Sequence, residues 1–100
     1  MAMIEHADGN LVVVYAHKDG LAVTWRDQKK PDLPWSAPVV FGRVVGRVSG
    51  LSLIQERARG DRPGNLVVTA TLPDGRVLMW WRDEKSGTWA GPAPVATGAT

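Results

Sequence analysis

The chain contains the same stretch of sequence twice. "GNLVVVYAHKDGLAVTWRD" occupies residues 9–27, and "GNLVVTATLPDGRVLMWWRD" occupies residues 64–83 of a chain of 100 residues. The second copy is one residue longer between the shared Gly-Asn start and the shared Trp-Arg-Asp end. Weaker matches extend the unit in both directions to about 50 residues, a period typical of propeller blades and solenoid repeats. The chain therefore consists of two similar units, residues 1–48 and 49–100.

Each unit contains four short segments with strand-like composition. They are Met3–His6, Leu11–Ala16, Leu21–Arg26 and a segment starting at Trp35 in the first unit, and Leu51–Gln55, Leu66–Thr71, Arg76–Arg82 and a segment starting at Trp89 in the second. The second segment of each unit is largely apolar and β-branched, which predicts a strand buried on both faces. The Asp-Gly that follows it predicts a hairpin turn, because glycine tolerates a positive φ.

Proline marks the fourth segment of both units. Pro38 interrupts it in the first unit, and Pro92 and Pro94 interrupt it in the second. Because proline removes a hydrogen-bond donor from a sheet, this segment is predicted to be an edge strand. No segment has a helical period of useful length. The pattern predicts an all-β chain of two four-stranded antiparallel units, each with the organisation of one β-propeller blade.

The extra residue of the second copy leaves the position of Trp80 open. Counted back from Trp-Arg-Asp, Trp80 aligns with Thr24, whereas counted forward from Asp-Gly it aligns with Trp25. Both counts hold only if a bulge in the strand accommodates the extra residue. Side chains alternate along a strand, so Trp80 and Trp81 are predicted to point to opposite faces.

The order of these motifs resembles the repeats of bacterial β-propellers. The elements "SLIQ", "GNLVV", Asp-Gly, Trp-Arg-Asp and a closing Trp followed by Gly-Pro are similar to those in blades of seven-bladed fucose-binding lectins and, more loosely, of tectonins. The two-unit length is also similar to that of small lectins that build a ring from several short chains. In the fucose-binding propellers, sugar pockets lie between adjacent blades. The resemblance implies third-strand site positions at Trp25, Arg26, Trp81 and Arg82, and fourth-strand positions at Trp35 and Trp89.

Two blades cannot close a ring by themselves. Each blade packs both faces against neighbours, and two isolated blades leave two apolar faces open. We therefore expect either a homo-oligomer with head-to-tail contacts or a fragment of a longer array. Three chains would complete six blades, and four chains would complete eight.

No pattern for catalysis, metal binding or a cofactor is recognisable in the sequence. His6 and His17 are the only histidines, cysteine is absent, and neither histidine has a ligand partner at metal-site spacing. The chain has no Gly-x-Ser-x-Gly nucleophile motif and no glycine-rich phosphate loop. These features predict a protein that is not an enzyme and that requires no cofactor.

The charge pattern argues against nucleic acid as a partner. The net charge of +2 comes from 12 basic and 10 acidic residues, and acidic residues interrupt the densest basic cluster, residues 56–62. Nucleic-acid-binding proteins instead concentrate their cations on one face. The longest uncharged apolar run, Leu11–Ala16, is far shorter than the ~20 residues of a membrane span. The N-terminus has no basic start followed by an apolar stretch, so no signal peptide is predicted and a cytoplasmic location is expected unless another route exports the chain.

Tryptophan is the most informative residue type for function. The five Trp exceed the combined count of Phe and Tyr, and a Trp next to polar groups suits saccharides because pyranose C–H faces stack on aromatic rings. The candidate ligand-binding residues are Trp25, Arg26, Trp35, Trp80, Trp81, Arg82 and Trp89. Alternatively, the same Trp residues fill the space between blades. Two functions stay open: an oligomeric carbohydrate-binding propeller, or an interaction scaffold or two-blade fragment without a small ligand.

Overall fold

The computed structural model describes residues 1–17, 20–27, 29, 32, 35–42, 48–58 and 63–98. These residues form eight β-strands and no helix, which confirms the predicted all-β class. The strands are β1 (Ala2–Glu5), β2 (Leu11–His17), β3 (Gly20–Arg26), β4 (Val39–Gly42), β5 (Gly50–Gln55), β6 (Leu66–Thr71), β7 (Val77–Asp83) and β8 (Thr88–Ala96). The predicted turn residue Asp19 and residues 59–62 of the basic cluster lie outside the described residues.

The strands form two four-stranded antiparallel sheets, one from each repeat. The first sheet has the order β1-β2-β3-β4, and the second has the order β5-β6-β7-β8. Both proline-marked segments are edge strands, as predicted. In the first repeat the edge strand begins at Val39, after Pro38, and Trp35 precedes it in an isolated bridge with Arg26. The predicted start at Trp35 is therefore wrong, because proline lacks the donor that would continue the ladder.

The pairing register decides the alignment of the two repeats. Val12 pairs with Trp25 in the first sheet, and Val67 pairs with Trp81 in the second. Since Val12 and Val67 occupy equivalent positions after the shared Gly-Asn, Trp81 is the equivalent of Trp25. Trp80 is therefore equivalent to Thr24, the alternative obtained by counting back from Trp-Arg-Asp.

The extra residue of the second repeat lies in the turn between β6 and β7. The N–H of Leu72 donates to the carbonyl of Arg76 at 2.9 Å, which closes a three-residue turn, and Gly75 there has a φ of 90°. In the first sheet His17 pairs directly with Gly20. The turn accommodates the insertion, so the β6–β7 ladder needs no bulge. Within the turn, the backbone N–H of Arg76 donates to the Asp74 carboxylate and lowers the pKa of Asp74 below its ordinary value.

The two sheets pack face to face around one core. Strand β1 contacts β5 and strand β4 contacts β8, so the sheets stack with their strands in the same order. Alternate residues of the central strands supply the core, since successive side chains point to opposite faces. The buried core residues are Val12, Val14, Leu21 and Val23 from the first sheet, and Leu53, Leu66, Val68, Ala70 and Trp80 from the second.

Trp80 is the largest buried side chain, and its indole lies against Gly42 of the first sheet. A Cβ atom built on Gly42 would be 2.7 Å from Nε1 of Trp80, which is closer than real Cβ contacts. Only 1% of Trp80 is exposed, so the indole has no room to move away. The close approach of the two sheets therefore depends on a residue without a side chain at position 42.

We expect Gly42→Ala to lower the free energy of unfolding by about 1–3 kcal/mol, the usual cost of overpacking a well-packed core. Gly50→Ala is the matched control, because Gly50 is also in a strand and its Cβ would meet Thr71 at an ordinary 3.6 Å. Urea unfolding of both variants measures the difference. Equal stability of the two variants would contradict the close packing of Trp80 on Gly42.

Candidate ligand-binding cleft

A cleft of about 530 Å³ opens between the two sheets, next to the core. Both repeats line it: the first contributes His6, Asp8, Asn10, Val12, Val23, Trp25 and Val39, and the second contributes Pro63, Leu66, Arg82, Glu84, Gly87 and Trp89. Val12, Val23 and Leu66 are almost fully buried, so the bottom of the cleft is apolar. The polar and aromatic residues surround this apolar base.

Two tryptophans, one from each sheet, line the cleft. Trp25 lies on β3, two residues after Val23 and on the same face of the sheet, and 41% of it is exposed. Trp89 lies on β8 and stacks on Phe41 of the first sheet, with ring centroids 3.9 Å apart and an interplanar angle of 17°. This stacking holds the Trp89 ring in place. Trp25 has the more accessible aromatic surface for a ligand.

Arg82 and Glu84 are the charged pair of the cleft. Nη1 of Arg82 donates to Oε2 of Glu84, and the N–H of Glu84 donates to the side-chain oxygen of Asn65 at 3.1 Å. The Glu84 side chain is almost fully buried, whereas a third of the Arg82 side chain is exposed. A guanidinium carries five N–H donors, so a ligand in the cleft can be bound by donors that Glu84 does not use.

His6 joins this pair from the opposite sheet. It follows β1, is 8% exposed, and its Nε2 lies 2.6 Å from Oε1 of Glu84. Its Nδ1 lies 3.1 Å from the backbone nitrogen of Asp8. The titratable residues that line the cleft are two carboxylates (Asp8 and Glu84), one guanidinium (Arg82) and His6. The cleft therefore carries no excess of positive charge.

Three of the residues predicted from the sequence line the cleft: Trp25, Arg82 and Trp89. Arg82 and Trp89 are directly paired between β7 and β8, and paired residues of an antiparallel ladder point to the same face. Trp25 reaches the cleft from the first sheet because its face packs towards the second. The structure therefore places these three residues around one space.

The other four predicted residues lie elsewhere. Trp80 is in the core, and Trp81 points to the opposite face of the second sheet, as the predicted alternation requires. Arg26 and Trp35 form a bridge pair on the outer face of the first sheet, where Trp35 is 47% exposed. This pair is the equivalent of Arg82 and Trp89. In the described part of a single chain, Arg26 and Trp35 do not line the cleft.

Sequence reasoning did not identify His6, Glu84 or Asn65 as parts of a site. The shared Gly-Asn of the two repeats was a usable indication for Asn65: its carbonyl accepts the N–H of Glu56 at 2.8 Å, and its side chain binds the backbone of Glu84. His6 and Glu84 gave no indication, because each lies in a polar stretch next to a turn. They meet only because the two sheets pack together.

Comparison of the chain with protein-family models, with curated proteins and with solved structures gave no match. In the part of the chain that the structure describes, no group of three His, Cys, Asp or Glu residues could hold a metal ion. The same residues include no helix long and apolar enough to span a membrane.

Proposed function

We propose that this chain is a non-enzymatic carbohydrate-binding protein that assembles with itself into a closed β-propeller. The observation that carries the proposal is the cleft between the repeats, which combines an accessible Trp25 with the Arg82–Glu84 pair. The C–H face of a pyranose stacks on an indole, and its hydroxyls accept from a guanidinium and donate to a carboxylate. The cleft offers the indole and the guanidinium over an apolar base, and Glu84, whose side chain is 8% exposed, orients the guanidinium.

Size and charge favour a neutral saccharide. A volume of about 530 Å³ lies within the usual range for small-molecule sites. The lining residues include two carboxylates and one guanidinium, so they provide no excess of positive charge to attract an anionic ligand. A neutral sugar does not need such an excess.

Assembly is supported by the equivalence of the two sheets. The face of the first sheet that packs on the second carries Val12 and Trp25, and the equivalent residues Val67 and Trp81 lie on the outer face of the second sheet. The face that packs against a neighbouring sheet in the first repeat therefore has no neighbouring sheet in the second repeat of the same chain.

The complementary surface of the first sheet is exposed in part: Met3 is 55% exposed, whereas its ladder partner Val13 is 8% exposed. The face of the second sheet that packs on the first carries Leu66 and Val68, whose equivalents Leu11 and Val13 lie on the outer face of the first sheet. The outer face of the second sheet in one copy can therefore pack on the outer face of the first sheet in the next copy, as the sheets do within the chain. Such head-to-tail contacts repeat and can close a ring.

Each repeat would form one blade of this ring, with residues 1–48 as the first blade and 49–100 as the second. Three chains would complete six blades, and four chains would complete eight. Large apolar side chains on the two outer faces support burial in an assembly, since Met3 is 55% exposed and Ile54 is 57% exposed. Several clefts in one ring would also add avidity to weak single sites.

The test of the binding function combines a glycan array of neutral and acidic saccharides with variants of Trp25. We expect wild-type protein to bind neutral saccharides, and Trp25→Ala to weaken this binding by about tenfold to a hundredfold, because the stacking surface is lost. Trp25→Phe keeps an aromatic ring and should retain most of the affinity. Isothermal titration measures each variant with the saccharides that the array identifies.

Two results would contradict the binding proposal. The first is an assembled, folded wild-type protein that gives a blank array, which would favour the interaction scaffold. The second is a Trp25→Ala variant with wild-type affinity, which would place the saccharide elsewhere. Light scattering on the same samples shows whether a lost signal comes from lost binding or from lost assembly.

A further inference from the structure

The imidazole of His6 connects the two sheets at the edge of the cleft. Its Nε2 is 2.6 Å from Oε1 of Glu84, a residue 78 positions further along the chain. Both side chains are less than 10% exposed. Because a hydrogen bond between buried groups is strengthened by the low local dielectric, this contact is a strong link between the first and second sheets.

The neighbours of His6 determine where its proton resides. The backbone N–H of Asp8 is 3.1 Å from Nδ1, and a backbone N–H can only donate, so Nδ1 is the acceptor. The proton of the neutral ring is then on Nε2, which donates to Glu84. Oδ1 of Asp8 also lies 3.1 Å from Nδ1 and could accept a proton carried by Nδ1. In that tautomer, however, Nε2 and the Glu84 carboxylate would be two acceptors facing each other at 2.6 Å. Protonated His6 donates to both carboxylates and keeps the link to Glu84.

Gln55 lies next to Nε2 of the ring. Its side-chain oxygen accepts the N–H of Ala7 at 2.8 Å, and its nitrogen donates to the carbonyl of Gly64 at 3.0 Å. These two bonds fix the orientation of the amide, whose nitrogen lies 3.1 Å from Nε2 of His6. Since Nε2 carries a proton in this tautomer, the amide nitrogen cannot donate to it, and the contact contributes no hydrogen bond.

Glu84 transmits the position of His6 to Arg82. One carboxylate oxygen accepts from His6, the other accepts from Arg82, and Asn65 holds the backbone of Glu84. The carboxylate is thus held on both sides, and the guanidinium that lines the cleft follows it. We propose that His6 is the positioning residue of the cleft: through Glu84, it fixes the Arg82 guanidinium in the geometry that receives a ligand.

The backbone at position 6 does not require histidine. The N–H of His6 donates to the carbonyl of Asn10 at 2.7 Å, and at the equivalent position the N–H of Glu56 donates to the carbonyl of Asn65 at 2.8 Å. The same backbone hydrogen bond therefore forms with glutamate in the second repeat, although the connection there is longer. In the first repeat, Nδ1 of His6 accepts the N–H of Asp8 in the loop, and Nε2 serves the cleft between the sheets.

Three substitutions separate positioning from structural support. His6→Gln places an amide N–H near the position of Nε2 and keeps a donor to Glu84. His6→Asn places its amide near the position of Nδ1 and loses the donor to Glu84. His6→Leu has no polar group at either position. Two NMR signals are measured. The Nε–H of Arg82 reports the position of the guanidinium, and the indole N–H of Trp25 reports ligand binding in this cleft. L-fucose, the sugar of the resembled lectins, is the probe for binding, which makes the binding part dependent on the proposed function.

Without ligand, we expect ¹⁵N spectra to show the Nε2–H tautomer of neutral His6. The Arg82 signal should be unchanged in His6→Gln and shifted in both His6→Asn and His6→Leu. Titration of Trp25 with L-fucose should give an affinity within about threefold of wild type for His6→Gln. For His6→Asn and His6→Leu it should fall about tenfold or more, as expected when a charge-assisted hydrogen bond is lost.

Three results would overturn the assignment of His6: a Nδ1–H tautomer, an Arg82 signal that is the same in all three variants and wild type, or wild-type affinity in folded His6→Leu. If wild-type protein binds neither L-fucose nor any saccharide on an array, the proposed function fails, while the tautomer and the Arg82 signal still decide the positioning role.

Discussion

Trp80→Ala is expected to lower the free energy of unfolding by about 3–5 kcal/mol, the usual cost of truncating a buried aromatic side chain. Trp80 is 1% exposed and belongs to the core that both sheets share. Domains of this size are stable by only about 5–15 kcal/mol, so the variant should be largely unfolded or should unfold at low urea concentration. Urea unfolding followed by far-ultraviolet circular dichroism measures the change.

Trp35→Ala is the matched control, because the same side chain is removed from a position that is 47% exposed. Because the proposed ring would cover Trp35, both variants are compared at concentrations at which the chain is monomeric, where Trp35→Ala should cost less than about 1 kcal/mol, as expected for a surface substitution. If Trp80→Ala were as stable as wild type but had lost saccharide binding, Trp80 would belong to the ligand site and the core assignment would be wrong. Unfolding of both variants to the same extent would also contradict it.

Ile54→Glu is expected to convert the assembled protein into monomers. Ile54 is 57% exposed and lies on the outer face of the second sheet, next to its ladder partner Val67. In the proposed ring this face is covered by the next copy, and an unpaired carboxylate in such an apolar interface costs several kcal/mol at every contact. Within one chain the substitution exposes the charge to water, so the fold should persist.

Analytical ultracentrifugation measures this effect directly. Wild-type protein should sediment as three or four chains of 10.8 kDa, and Ile54→Glu should sediment as one. Thr97→Glu adds the same charge at an exposed position beyond β8 and should leave the assembly intact. A wild-type protein that sediments at 10.8 kDa with a native-like spectrum would exclude the ring and leave the two sheets as a fragment or a stand-alone pair.

The sequence determined the local structure of this protein. Segments such as Leu66–Thr71 were identified as strands with their bounds, and the prolines identified β4 and β8 as edge strands. These features depend on residues close together in the chain: β-branched side chains favour extended backbone, glycine permits positive φ, and proline cannot donate. The Trp-rich pattern also indicated Trp25, Arg82 and Trp89 as candidate site residues before their positions in space were known.

Only the tertiary structure decided which of these residues share a site. Trp80 and Trp81 are neighbours in sequence, but one fills the core and the other faces outwards, because a single position changes the face of a strand. The extra residue of the second repeat could have been in the strand or in the turn, and the register placed it in the turn. The His6–Glu84 link joins residues 78 positions apart, so it arises only when the packing of two sheets brings them within hydrogen-bond distance.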